Sequence, residues 1–136
     1  MFPSIMIPII AVQFTIIIAL IIGCYYDLKY REVSNAISYS IFFLCIPLVN
    51  IYNITPMHIV IAVLFTIMTL RGAYGGADLK VLVPIVMSLT TLSLSIFLIG
   101  ITIFSIPFVI KNKNDIPLFI PITISYMIIS YVSLLF

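Results

Sequence analysis

The sequence predicts an all-α, polytopic membrane protein with six transmembrane helices. Three observations predict it. The chain of 136 residues is 64% hydrophobic and only 7% charged, where soluble domains carry about 25% charged residues. Its mean hydropathy is +1.37, so no water-facing surface can be assembled from it. The apolar residues are gathered into runs, several of them close to the roughly 20 residues that a helix needs to cross a bilayer. Finally, the six basic and four acidic residues all fall in three short segments. The length suits one domain, 1–136.

The elements follow in order. Residues 5–25 form the first span, and "DLKYREVSN" at 27–35 closes it. The second span is 36–49, ended by the uncharged turn "NIYNITP". The third, 57–70, is short and leads into "RGAYGGADLK". From Val81 to Ile110 no residue is charged. A single helix of that length would reach roughly 45 Å at about 1.5 Å per residue, well beyond a hydrocarbon core of about 30 Å. A break is therefore expected within "SLTT", 88–91, giving spans 79–89 and 91–110. "KNKND" at 111–115 precedes the sixth span, 116–136.

The charges test this count. Asp27, Lys29, Arg31 and Glu32 lie in the first connection, Arg71, Asp78 and Lys80 in the third, and Lys111, Lys113 and Asp115 in the fifth. Six spans put every Lys and Arg on one side, which the positive-inside rule makes cytoplasmic. Both termini are then external. Five spans would leave Lys111 and Lys113 outside. "MFPSIMIPII" has no basic n-region and no small-residue cleavage site, so it is expected to begin a retained span.

Several function classes are set aside. A net charge of +2 is too small for a nucleic-acid binder. Cys24 and Cys45 lie in separate apolar runs without a CxxC pair, so neither a zinc module nor a disulfide is expected. His58 is the one histidine and is expected at the external boundary, with no metal to bind. No cofactor is implied.

Two acids carry the chemistry. Asp27 follows the first apolar run and is expected at the cytoplasmic end of that helix. Read alone, it is a solvated boundary residue near Lys29 or Arg31. Asp78 follows Gly75, Gly76 and Ala77. Read alone, it is an N-cap of the fourth helix. Capping does not account for the two glycines, which let the backbone turn and a peptide approach closely. Nor does it account for Lys80, a cation at the positive end of a helix. Six spans put both acids at one face, on different helices. Two close carboxylates share a proton. The charged one takes a proton from water and the neutral one hydrogen-bonds a peptide carbonyl, as in aspartic proteases. Ser34 and Asn35 are expected to cap the second helix, and Glu32 is a candidate for binding a basic peptide. Lys80 is a candidate for a loop carbonyl or a lipid phosphate.

At these residues the chain resembles the type IV prepilin peptidases. "DLKYREVSN" is similar to the family's first signature, an Asp followed after six residues by an aliphatic-Ser-Asn ending, here Asp27 and Val33, Ser34, Asn35. "GGADLK" is similar to the second, Gly-x-Gly-Asp followed by x-Lys, with Ala77 where the family has Gly. "IPLFIP" at 116–121 loosely resembles the stretch before the last family helix, its proline spacing one residue longer. The resemblance implies a membrane aspartic endopeptidase with Asp27 and Asp78 as catalytic residues and Gly75, Gly76, Lys80 and Asn35 in support. It implies a prepilin or pre-archaellin precursor as partner, cleaved after a short basic leader at the cytoplasmic face. The larger family members methylate their product through a cysteine-bearing insertion. This chain lacks it, so cleavage without N-methylation is expected, as in compact archaeal-type members.

Two other readings stay open on the residues alone. Small membrane transporters and assembly subunits also use membrane-embedded acids and glycine-broken helices. A presenilin-like intramembrane protease also carries two aspartates, but in a longer chain of about nine spans without the Val-Ser-Asn ending.

Overall fold

The computed structural model describes residues 2–30, 33–71, 76–111 and 117–135, with the backbone alone for 2–6 and 76–77. They form six α-helices: α1 Phe2–Tyr30, α2 Asn35–Cys45, α3 Pro56–Leu70, α4 Gly76–Ser88, α5 Thr91–Lys111 and α6 Phe119–Leu135. Among the described residues there is no strand.

Local chemistry sets the ends. Ser34 caps α2 by accepting from the Ala36 amide at 3.2 Å. Pro47 sits in the short 3₁₀ turn Ile46–Leu48 that terminates it, since proline cannot donate to a continuing helix. Pro56 occupies the first position of α3, where a missing N–H costs nothing. The uncharged run from Val81 to Ile110 is divided at Leu89 and Thr90. Ser88 bonds back to the Ile85 carbonyl at 2.8 Å, and the Thr90 hydroxyl accepts from the Ser93 amide at 3.3 Å to start α5.

Two segments, Ile7–Tyr30 and Thr91–Lys111, are long and apolar enough to cross a membrane. The apolar helices α2, α3 and α6 are shorter, and α4 has 13 residues. The difference from six full-length spans is one of length. Runs bounded by turns and prolines, such as 36–49 and 57–70, make helices of only about 15–25 Å at the standard rise.

The helices pack in the spatial order α3, α4, α2, α1, α6, α5. α2 therefore lies between α1 and α4. Its buried face, Ser38, Ile41 and Cys45, repeats at three- and four-residue steps and meets Val81, Leu82, Ile85 and Val86 of α4 and Ile16 and Leu20 of α1 in one core. Phe119, Ile122, Tyr126 and Ile129 continue the core along α6. Glycines permit two close approaches. A Cβ at Gly23 would lie 2.6 Å from Cε1 of the buried Phe119 ring, and one at Gly100 would lie 2.6 Å from the Ser125 hydroxyl.

The outer surface is apolar: Ile18, Ile21 and Ile22 of α1, Val60, Val63 and Leu64 of α3, and Ile99, Ile103 and Ile106 of α5 are all exposed. Hydroxyls on these helices bond to the carbonyl one turn back, as Thr15 does to Ala11, Thr66 to Ala62 and Thr102 to Leu98. That pairing hides a polar group without breaking the helix, as a lipid-facing surface demands.

His58 closes the end of the bundle away from the two acids. Its Nδ1 accepts from the Thr55 amide at 3.1 Å, which leaves the proton on Nε2 to donate to the Leu89 carbonyl at 2.8 Å. The ring is fully buried, so it is a latch between the start of α3 and the end of α4. Replacing it with leucine strands a buried carbonyl and an amide. We expect His58→Leu to cost about 1–3 kcal/mol, read as a lower thermal midpoint in detergent; an unchanged midpoint would refute the latch.

Candidate active site

The acids at 27 and 78 are delivered by opposite ends of two helices. Asp27 lies in the last turn of α1. It is half-buried, and its Oδ2 atom is buried. Asp78 is the third residue of α4 and is also half-buried. It is therefore not the N-cap of that helix: α4 already begins at Gly76, three residues ahead of Leu79, where a cap at Asp78 would start it. Its carboxylate stands at the positive end of the α4 dipole, and Asp27 at the negative end of α1.

α2 sets how these two ends meet. Lys80 Nζ donates to Asn35 Oδ1 at 2.9 Å, so the first turns of α4 and α2 lie side by side. Asp78, two residues before Lys80, falls at the level of the turn that precedes α2. On the other flank, a Cβ at Gly23 would lie 3.6 Å from the Ile37 side chain. One helical turn further along α1 from Gly23 is Asp27, and one turn back from Ile37 is Val33. Asp27 thus reaches the level of the same turn. Both acids therefore lie level with the start of α2, one on each helix that packs against it.

Asn35 does not cap α2 through its side chain. Ser34 does that, and Asn35, the first helical residue, accepts from Lys80 instead. Lys80 also stands 4.8 Å above the Tyr39 ring, a cation–π contact one turn further along α2. This pairing of Lys80 with Asn35 and Tyr39 was not read from the sequence, which offered a loop carbonyl or lipid phosphate. A signal existed: a cation at the positive end of a helix is a misfit that requires an acceptor nearby. On α1, Lys29 donates to the Tyr25 hydroxyl at 3.0 Å and lies over the Tyr25 and Tyr30 rings.

Gly76 opens α4. Gly75, Glu32 and the remainder of the glycine-bearing segment 72–75 lie outside the described residues, as do Arg31, Lys113 and Asp115. His58 is at the far end of α4 from Asp78, through its bond to Leu89. Both cysteines are free, Cys45 buried and Cys24 within 2.9 Å of the Thr123 hydroxyl. Among the described residues no three His, Cys, Asp or Glu side chains gather to hold a metal ion. The arrangement offers two carboxylates, a fixed cation and a helix N-terminus at one face, a set suited to acid–base chemistry on a peptide.

If the Lys80–Asn35 bond holds α4 against α2, the two residues act as one unit. Lys80→Ala and Asn35→Ala are each expected to cost about 0.5–1.5 kcal/mol. The double variant should cost little more than either single one, a coupling of about 0.5 kcal/mol or more in a double-mutant cycle. Additive losses would show that the contact carries nothing.

Comparison with known proteins agrees in class. The model of the type IV leader peptidase family matches residues 14–135, a stretch containing both acids, Asn35 and Lys80. No curated protein and no solved structure matches.

Proposed function

The chain belongs to the type IV leader peptidase family, which makes it a leader-peptidase-like membrane protease, and from that premise we propose that it is an aspartic endopeptidase acting through Asp27 and Asp78. It removes the short basic leader from prepilin-like or pre-archaellin precursors. One observation supports this reading above the others: the two acids come from different helices yet lie level with the same turn at the start of α2, to which α4 is joined by the Lys80–Asn35 bond.

In this mechanism one carboxylate is charged and takes a proton from the attacking water. The other is neutral and hydrogen-bonds the scissile carbonyl. The hydroxide equivalent adds to the carbonyl carbon, and the proton passes to the departing amine as the C–N bond breaks. No cofactor takes part. Gly75 and Gly76 let the peptide approach Asp78, and Glu32 receives the basic leader. Without the cysteine-bearing insertion the product is not methylated.

The six helices all cross the membrane in this reading, with both termini outside and the acids at the cytoplasmic face. α4, with 13 residues, extends only about 20 Å. With its Leu89 end at the outer boundary, its Asp78 end lies below the inner headgroups, in a bilayer thinned locally to match. That position excludes bulk water from the acids while leaving them open to a precursor arriving through the lipid.

Membranes carrying the protein are expected to cleave a prepilin or pre-archaellin precursor. Asp27→Asn and Asp78→Asn should each lower the rate at least about 100-fold, the usual worth of a positioned acid or base. Retained cleavage in either variant refutes the two-aspartate mechanism. Orientation has its own test. In a background with Cys24 and Cys45 changed to alanine, Asn53→Cys should react with an impermeant thiol reagent added outside intact cells. Asn53 is exposed in the turn between α2 and α3, and labelling only after lysis would invert the topology.

A further inference from the structure

We propose that Ser38 is a positioning residue for the acid pair: its hydroxyl holds a water against the Asp27 carboxylate, which makes Asp27 the charged partner and Asp78 the proton-bearing one. The proposal rests on the peptidase reading and assigns the two roles within it. Ser38 is polar where packing needs nothing polar. It is fully buried, and among the described residues its Oγ atom has no hydrogen-bond partner. Hydroxyls elsewhere on these helices bond to the carbonyl four residues back, as Ser40 does to Ala36 on α2 itself at 2.6 Å. That route is crowded for Ser38, because the Ser34 carbonyl already accepts from the Ile37 and Ser38 amides at 3.1 and 3.3 Å. An orphaned buried hydroxyl destabilises a fold, and alanine would fill the same space without that loss. Such a group calls for a partner, and an ordered water is the usual one.

Direction identifies the partner. At about 100° per residue, Ser38 points between Ile37, which faces Gly23 of α1, and Asn35 and Tyr39, which meet Lys80 of α4. It therefore faces the seam where the two acid-bearing helices approach α2. Asp27 continues the buried stripe Ile16, Leu20, Gly23 of α1, and Asp78 heads the buried stripe Leu82, Ile85, Leu89 of α4. From the Gly23–Ile37 contact, Asp27 lies about 6 Å toward the end of the bundle that carries the acids, and Ser38 about 1.5 Å the other way. Side chains tilt toward the start of their own helix. α1 starts at the far end and α2 at the acid-bearing end, so Asp27 and Ser38 lean toward each other. The remaining gap, roughly 5 Å, is the reach of two hydrogen bonds through one water. Asp78 leans away from Ser38, since α4 also starts at the acid-bearing end.

This asymmetry divides the labour. A hydrogen bond donated to a carboxylate favours its ionised form, and the acceptor is Asp27 Oδ2, the buried oxygen of that group. Asp27 then takes the proton of the attacking water and passes it to the departing amine. Asp78 lends its proton to the carbonyl oxygen and recovers it as the C–N bond breaks. The neighbouring titratable groups are engaged elsewhere. On α1, Lys29, Tyr25, Tyr26 and Tyr30 are exposed, and Cys24 meets Thr123 of α6. On α4, Lys80 is bonded to Asn35 and lies over Tyr39 of α2. α6 brings no ionisable side chain before Tyr126. Among the described residues, Asp78 is the charged group that shares the seam with Asp27.

The full chain, reconstituted in lipid vesicles with a precursor, is assayed across pH. Ser38→Ala is expected to move the acid limb of kcat/KM up by about one pH unit, a tenfold loss of rate below the limb, with the plateau kcat and the thermal midpoint nearly kept. Ser38→Thr retains a hydroxyl and should restore the wild-type limb. Ser125→Ala removes another buried, unpartnered hydroxyl, beside Gly100 of α5, and should leave the limb in place. An unmoved limb in Ser38→Ala, or an equal shift in Ser125→Ala, overturns the proposal and leaves the peptidase reading intact. A second readout needs no cleavage. With the aspartate carboxyl carbons labelled, solid-state NMR near neutral pH should show Asp27 as a carboxylate in contact with a slowly exchanging water, and Asp78 as the acid. Asp27→Asn and Asp78→Asn assign the signals, and Ser38→Ala should remove the water contact. Asp78 as the carboxylate, or a water contact that survives Ser38→Ala, overturns the proposal. The expected spectrum from a wild type that cleaves no precursor would refute the peptidase reading and leave the Ser38 bridge standing.

Discussion

Hydrocarbon offers a polypeptide no hydrogen-bond partner except itself, and that constraint shapes everything else in this molecule. Each backbone amide must be paired within its own segment, so the long apolar runs are helical. Hydroxyls on the outer faces bond back to their own helices. Charge is excluded from the middles of the helices and collects at their ends and in the connections. The exposed isoleucines and valines that would aggregate a soluble protein are here the surface that lipid requires.

The same constraint makes the few polar contacts between helices informative. Where lipid supplies no hydrophobic drive, packing and hydrogen bonds decide which helices are neighbours. His58 ties α3 to α4 at one end, Lys80 ties α4 to α2 at the other, and Cys24 meets Thr123 between α1 and α6. Gly23 and Gly100 allow α6 to approach α1 and α5 more closely than any larger residue would. These five contacts follow the spatial order of the bundle. α2 matters most among the helices because it separates the two that carry Asp27 and Asp78. Its thickness and register set how far apart those two helices stand at the level of the acids, although neither acid belongs to it.

Short helices give this arrangement a functional consequence. α2 and α4 are too short to traverse a bilayer of ordinary thickness, so in the proposed topology the acids beside their ends lie below the inner headgroups. A protease for membrane-anchored precursors needs its acids at that depth.

The sequence by itself determined the helical class, the break between Ser88 and Thr91, and the grouping of charges into three short segments. These follow from composition and run length, which are local properties. It also marked Asp27 and Asp78 as a pair, because two ordered motifs in an apolar chain are hard to explain separately. It did not reveal that Lys80 bonds to Asn35, that Ser34 alone caps α2, or that Asp78 lies inside α4 instead of before it. Helix starts shift by a residue or two according to what the first side chains bond to, and those partners are distant in the chain. The insertion of α2 between α1 and α4 was equally hidden. Apolar faces in a membrane sequence look alike on all sides, so periodicity does not tell core from lipid. Only the tertiary structure, by fitting glycines, aromatic rings and one lysine against particular neighbours, decided which helices touch and at what level the two acids stand.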